Sequence, residues 1–305
     1  MNLWFGLWRL LLCWCLVAFA TPGLLAAELD QVAERRAAFD EVEKAALHGP
    51  QNVPLRDQAT LSLPKGYLFV PRMQAERLLN VMGNTPGASL LGMVLPVADD
   101  AQWMVVVNYI DAGYIKDDDA RTWNADELLK NLQDGAEEQN DERRKRGISE
   151  MEVVGWVQPP LYDGITRRLA WSASTRGKNA PPGAGQGVNY NTYMLGREGY
   201  VSLNLVTDLG QIERYKPDAQ QLLAALNFND GKRYADFDSS TDKIAEYGLA
   251  ALVGGIAAKK LGLLAMIGVF LLKFWKIVAI AVVGAGAVFS RRKKSKEDPP
   301  PPPAA

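Results

Sequence analysis

The chain has 305 residues, 48% hydrophobic and 23% charged, an ordinary globular composition that leaves enough apolar material for a core once its terminal hydrophobic segments are set aside. Lys and Arg number 34 against 35 Asp and Glu, a formal net charge of -1, which excludes a domain built to neutralise phosphates over a broad surface and so argues against a nucleic-acid partner. Both cysteines, Cys13 and Cys15, lie in the first apolar stretch, so a domain freed of it has no thiol for a disulfide, a zinc site or nucleophilic attack.

Residues 1–27 read as a signal peptide. Arg9 precedes an apolar run from Leu10 to Ala20 that is short for a membrane span, and small residues offer cleavage after Ala20 or, our preference, after Ala27. An uncleaved signal anchor is the alternative, because Trp4, Phe5, Leu7 and Trp8 lengthen the apolar stretch. Residues 28–57 then read as a helix and a linker. Leu29, Val32, Phe39, Val42 and Ala46 recur at helical spacing up to Gly49-Pro50. His48, the one histidine, is expected as a solvated side chain at that helix end, where the helix dipole favours it, rather than as a catalytic or metal-binding group.

The exported domain is expected over residues 58–238. Leu61 to Pro64 and Tyr67 to Val70 read as strands around a Pro-Lys-Gly turn, and Gln74 to Met82 as a short helix stopped by Gly83-Asn84. Leu90 to Val97 and Trp103 to Ile110 are strands, the second valine-rich enough to be central. Asn124, with Glu127 three residues on, starts a long helix whose stripe is Leu128, Leu129, Leu132 and Ala136; its half from Glu137 to Arg146 is expected to be solvated, and Gly147 ends it. Strands follow over Glu152 to Gln158, Arg168 to Ala173, Val188 to Leu195 and Tyr200 to Thr207, the last two joined by the turn Gly196-Arg197-Glu198-Gly199. Pro217 is expected to open a helix bearing Leu222, Leu223 and Leu226. The order favours an α+β domain with a mostly antiparallel sheet covered by helices, and it is similar to that of PsbP-like domains.

Candidates for chemistry are few. Asp117, Asp118 and Asp119 form the strongest acidic cluster; three carboxylates can hold a hard cation or supply half of an acid/base pair, yet neighbours in a strand or turn point different ways, which favours a solvated turn. Asp236, Asp238, Ser240 and Asp242 alternate like a calcium loop, but Thr241 and Tyr247 stand where such a loop needs glycine and glutamate; a helix start over Ser239 to Asp242 is the simpler reading. Gly183-Ala184-Gly185-Gln186-Gly187 lacks the ending of a phosphate-binding loop and reads as a connection. Trp103, Trp123, Trp156 and Trp171 read as core or sheet-face aromatics. No catalytic residue, metal or cofactor is assigned.

Residues 239–260 read as a juxtamembrane or interfacial helix, 261–289 as a transmembrane helix and 290–305 as a basic, Pro-rich cytoplasmic tail beginning at Arg291-Arg292-Lys293-Lys294. The span is about 43 Å of helix against a hydrocarbon core of about 30 Å, so it is expected to tilt. Lys273 and Lys276 fall near its middle on one face, where lipid contact is costly. They are therefore candidates for contact with an envelope protein or a second copy of this chain, and the lipid bilayer is itself a partner. The expected placement is a single-pass bacterial inner-membrane protein with its domain periplasmic.

Several strings together resemble a bacterial membrane-anchored family known as domain of unknown function number 2167: Leu63-Pro64-Lys65-Gly66-Tyr67, Gly83-Asn84, Gly113 to Asp119, Gly155-Trp156, Asn189-Tyr190-Asn191, Leu195-Gly196-Arg197, Tyr234-Ala235-Asp236-Phe237, Asp242-Lys243 and Lys273-Phe274-Trp275-Lys276. The resemblance implies an exported domain with a C-terminal membrane segment and transfers no catalytic residue. Two functions stay open at this point. One is a non-enzymatic binding or interaction module of the envelope; the other is an envelope hydrolase using paired carboxylates, with Asp117 to Asp119 among the candidates. An acidic cleft would favour the second, a shallow or apolar exposed patch the first.

Overall fold

The computed structural model describes residues 22–254 apart from Asp99, Arg146 and Pro182, with side chains from Ala33 onward. Most of the expected signal peptide, the span 261–289 with Lys273 and Lys276, and the basic tail lie outside the described residues. Among the described residues no helix is long and apolar enough to cross a membrane.

Helix α1 (Pro22–Ala45) contains the expected cleavage point after Ala27 and leads into β1 (Leu47–His48) and β2 (Gln51–Leu55). The segment expected to be a linker is thus largely strand. His48 is exposed on an edge strand paired with Leu68, its carbonyl accepting from Gln51 Nε2 at 2.8 Å, so the helix ends before it and its dipole is not the histidine's setting. Strands β3 (Ala59–Leu63) and β4 (Tyr67–Pro71) flank the expected turn but enter different sheets. Helix α2 (Arg72–Val81) ends as expected at Gly83-Asn84, the Asn84 amide donating to the Leu79 carbonyl at 2.9 Å. Strands β5 (Leu90–Pro96) and β6 (Met104–Ile110) follow.

Helix α3 (Ala125–Lys145) is capped by the Asn124 side chain, which accepts from the amides of Asp126 and Glu127. Its second half is mostly exposed, as expected, with one exception. Asn140 is fully buried there and pairs in both directions with the backbone of Met151, fixing the helix to the next strand. That strand, β7 (Met151–Asp163), is followed by β8 (Arg168–Gly177), β9 (Gly187–Leu195) and β10 (Tyr200–Asp208). Helix α4 (Ile212–Ala224) begins five residues before Pro217, which sits exposed within it, and Leu226 leaves the helix to start β11 (Leu226–Phe228).

The strands form an eight-stranded sheet in the order β1-β4-β5-β6-β10-β9-β8-β7 and a three-stranded sheet β11-β3-β2, antiparallel throughout. The α+β expectation therefore holds, and the valine-rich β6 is central. Because side chains alternate along a strand, Val105, Val107, Leu203, Leu205, Val188 and Tyr190 share one face. They pack with Ile212, Tyr215, Ala219 and Leu222 of α4 and with Val53, Leu61 and Phe228 of the small sheet in the largest core cluster.

The opposite face is covered at its two ends. At the β4–β6 end, Val70, Met93 and Met104 pack on Leu78 and Leu79 of α2 and on Val42 of α1. At the β7–β8 end, Leu169, Trp171 and Ala173 pack with Leu128 of α3 and with Leu249, Leu252 and Val253. Between these ends lie β10 and β9.

Candidate functional site

Strings far apart in sequence meet at one end of the large sheet. Gly113 adopts a φ of 87° and its amide donates to the Glu198 carbonyl; a Cβ there would stand 2.7 Å from the Lys243 carbonyl, so glycine permits the close approach. Tyr114 exchanges backbone hydrogen bonds with Lys243 and Ala245. Its ring stacks on Phe237 at 3.8 Å between centroids and lies 4.4 Å from Tyr234.

Asp117 stands at the middle of this end. The Tyr162 hydroxyl donates to its Oδ2 at 2.7 Å and Arg167 pairs with the same oxygen. Tyr234 donates to the Ile115 carbonyl at 2.8 Å and stands 3.2 Å from Asp117 Oδ1, while the Arg167 guanidinium lies 4.5 Å from the centre of its ring. Burial opposes the charge on Asp117, but the Tyr162 hydroxyl, Arg167 and Tyr234 outweigh it and hold the carboxyl below its ordinary range. Burial and the same carboxylate push the Tyr162 hydroxyl up.

Its two neighbours turn elsewhere. Asp119 accepts from the amides of Leu249 and Ala250 at 3.1 and 2.9 Å, and Asp118 opens the 3-10 turn Asp118–Arg121. The three expected candidates therefore do not converge, and among the described residues no three His, Asp or Glu side chains are grouped to hold a metal.

Residues 239–250, expected as the start of a helix, form instead a strap; the described helix there, α5, is only Ala251–Gly254. Asp242 does not sit at a helix start because the Arg197 fork takes it, with Nε to Oδ2 at 2.6 Å and Nη2 to Oδ1 at 2.8 Å, which holds its carboxyl well below the ordinary range. Leu249 and Val253 are fully buried. Up to Gly254, then, the segment read as interfacial is bound to the domain.

The sheet face between α2 and α3 carries a feature missed in the sequence. Cross-strand pairs run Trp171–Asn191–Asn204–Val106, Ala173–Asn189–Val206–Met104 and Leu169–Tyr193–Ser202–Asn108, all on the face that bears Met104 and Tyr193. Asn189, Asn191, Ser202, Asn204 and Asn108 thus form an uncharged polar floor between two apolar ends. It deepens from half-buried Asn108, Ser202 and Asn204 to Asn189 and Asn191, which are 6% and 4% exposed. Asn189 Oδ1, Asn204 Oδ1 and the hydroxyl of Thr175, one row on, are buried and have no hydrogen-bond partner among the described residues. On these four strands the one carboxylate on this face is Asp208, beyond Asn204, raised by burial. The floor was visible as inward-facing positions of strands filled with Asn and Ser where a buried sheet expects Val or Leu.

Solved structures of similar shape include cyanobacterial PsbP, CyanoP, from Synechocystis sp. PCC 6803, at 9% identity over 59% of this chain and 92% of that one with a TM-score of 0.35. Another is the Saccharomyces cerevisiae Ran-binding protein Mog1p, at 10% identity over 59% of this chain and 96% of that one with a TM-score of 0.31. No curated protein matches the sequence. The model of the family described as Protein of unknown function (DUF2167) matches residues 48–284, a range that contains every string quoted above, and the chain belongs to that family.

Proposed function

We propose that this protein is a membrane-tethered, periplasmic binding module of the bacterial envelope that acts without catalysing a reaction. The observation that carries the binding role is the uncharged polar floor, of which Asn108, Ser202 and Asn204 on β6 and β10 are partly exposed between two apolar ends. A hydrolase of the paired-carboxylate kind needs two acids facing one bond. Asp117 is held by Arg167 and two tyrosines, Asp119 by two amides, and Asp208 has no second carboxylate on its face among β6, β8, β9 and β10.

The tether is argued from the sequence: a leader before Glu28, an apolar run from Leu261 to Phe289, and the basic flank at Arg291 to Lys296 that stays cytoplasmic. In this reading Lys273 and Lys276 meet an envelope protein or a second copy of the chain within the bilayer. Replacing both by leucine leaves insertion intact and weakens the native complex; a double variant that keeps the complex marks them as snorkelling instead.

The binding role is tested by ligand-observed NMR on the full chain in nanodiscs, screened against neutral, acidic and basic small molecules. Neutral ligands should show binding that Asn204→Leu weakens. Binding only of charged ligands, or turnover of any of them, would contradict the reading.

A further inference from the structure

The strap and α5 set how far the domain can stand from a bilayer. Three successive contacts hold the strap: the Arg197 fork on Asp242, the backbone exchange of Tyr114 with Lys243 and Ala245, and the Asp119 carboxylate on the Leu249 and Ala250 amides. Leu249, Leu252 and Val253 are then buried in one cluster with Leu128, Leu169 and Trp171. Gly254 ends the run against α3, where a Cβ would stand 3.4 Å from Leu128 and 3.5 Å from Asn131. The chain is thus bound to the domain up to Gly254, and only six residues, 255–260, separate it from the apolar run that begins at Leu261. Fully extended, they reach at most about 25 Å. Freed from Ser239 onward, the same connection would reach about 75 Å, so binding the strap shortens the tether about threefold.

Helix α3 covers one end of the large sheet and α2 the other. From β4, beside α2, to β7, beside α3, there are six strand spacings, about 29 Å in all. A short tether rooted on α3 keeps the α3 end near the bilayer in every orientation, while the α2 end is free to stand about 29 Å farther off. We infer that the strap is a docking device that holds the β7–β8 end of the domain at the membrane surface, with the α2 end outward, an assignment that rests on the membrane-tethered reading above. A partner that meets α3 or the strap is therefore itself a component of the membrane or of its surface.

The test is energy transfer to a headgroup-labelled lipid, read on the full chain in nanodiscs with Cys13 and Cys15 replaced and one thiol added for the donor dye. Lys130→Cys places the dye on the exposed side of α3, next to Asn131, and Met73→Cys, 74% exposed, places it on α2. Transfer at Lys130→Cys should be about twofold that at Met73→Cys, given the strand spacings between the two ends. A flexible insert of about 20 Gly and Ser residues between Ala258 and Lys259 adds about 25 Å of mean length and leaves the strap contacts in place. It should lower transfer at Lys130→Cys towards that at Met73→Cys. Equal or reversed transfer in the parent chain overturns the docking role of the strap. So does a difference that the insert leaves unchanged, which assigns it to direct contact with lipid instead. Transfer from neither site removes the membrane tether itself, so the two failures are told apart.

Discussion

Asp117 joins three parts of the chain through one carboxylate, and its role is structural support of the sheet end. Asp117→Asn keeps the shape and removes the charge that Arg167 faces. Because about a fifth of the Asp117 side chain and over a third of that of Arg167 are exposed, solvent screens the pair, and the expected loss is about 1 kcal/mol by urea denaturation. The sign with pH follows from the lowered carboxyl: its contribution is complete above the unfolded value near 4 and is lost as pH falls through the still lower folded value. The gap between wild type and Asp117→Asn should therefore be constant from pH 7 to about pH 5 and close at more acid pH. A gap that widens on acidification would contradict the assignment. The acidic run was legible in the sequence as a cluster whose members point apart. Its partners Tyr162, Arg167 and Tyr234 were not, since they come from 45 to 117 residues away and no local pattern marks them.

The strap of residues 239–250 shows the same division between local and distant information. Ser239, Ser240, Thr241 and Asp242 read as a helix start because Ser, Thr and Asp favour such positions, but the Arg197 fork, 45 residues away, takes Asp242 out of that role. Asp119 ties down the other end. Asp119→Ala should cost about 1 kcal/mol, as loss of a cap does, and should speed amide hydrogen exchange at residues 249–253 while β9 and β10 are unaffected. Gly248→Ala should have the same local effect, because its Cβ would lie 2.3 Å from Asp119 Oδ2. Uniform exchange changes across the sheet would show that the strap is not a separate unit. Regular elements with their own signals were legible: α3 from Asn124, the β9–β10 hairpin from its turn, α2 from Gly83-Asn84. Strands β1, β2 and β11 are short and gain their stability from partners elsewhere in the chain, so periodicity did not reveal them.

The two faces of the large sheet differ in composition, and the proposed reading assigns recognition to only one of them. One face carries a continuous apolar core under α4 and the small sheet, where truncating fully buried Leu203 to alanine should cost about 2 to 5 kcal/mol. The other carries two smaller core clusters, interrupted by the Asn-rich floor. The family strings named Asn189 and Asn191, but only the pairing of β9 with β10 and β6 sets them beside Asn204, Ser202 and Asn108. One labelling experiment tests both parts of the proposed reading, a periplasmic domain and a polar floor that is exposed at Ser202. The sequence has no cysteine beyond Cys15, so with Cys13 and Cys15 replaced, Ser202→Cys and Ile165→Cys each give a chain with one thiol. Ile165 is 92% exposed and reports location alone. In cells with a permeabilised outer membrane and an intact inner membrane, a membrane-impermeant maleimide should modify both variants. Labelling of Ile165→Cys without Ser202→Cys would contradict an exposed floor, and labelling of neither until the inner membrane is lysed would contradict the periplasmic placement.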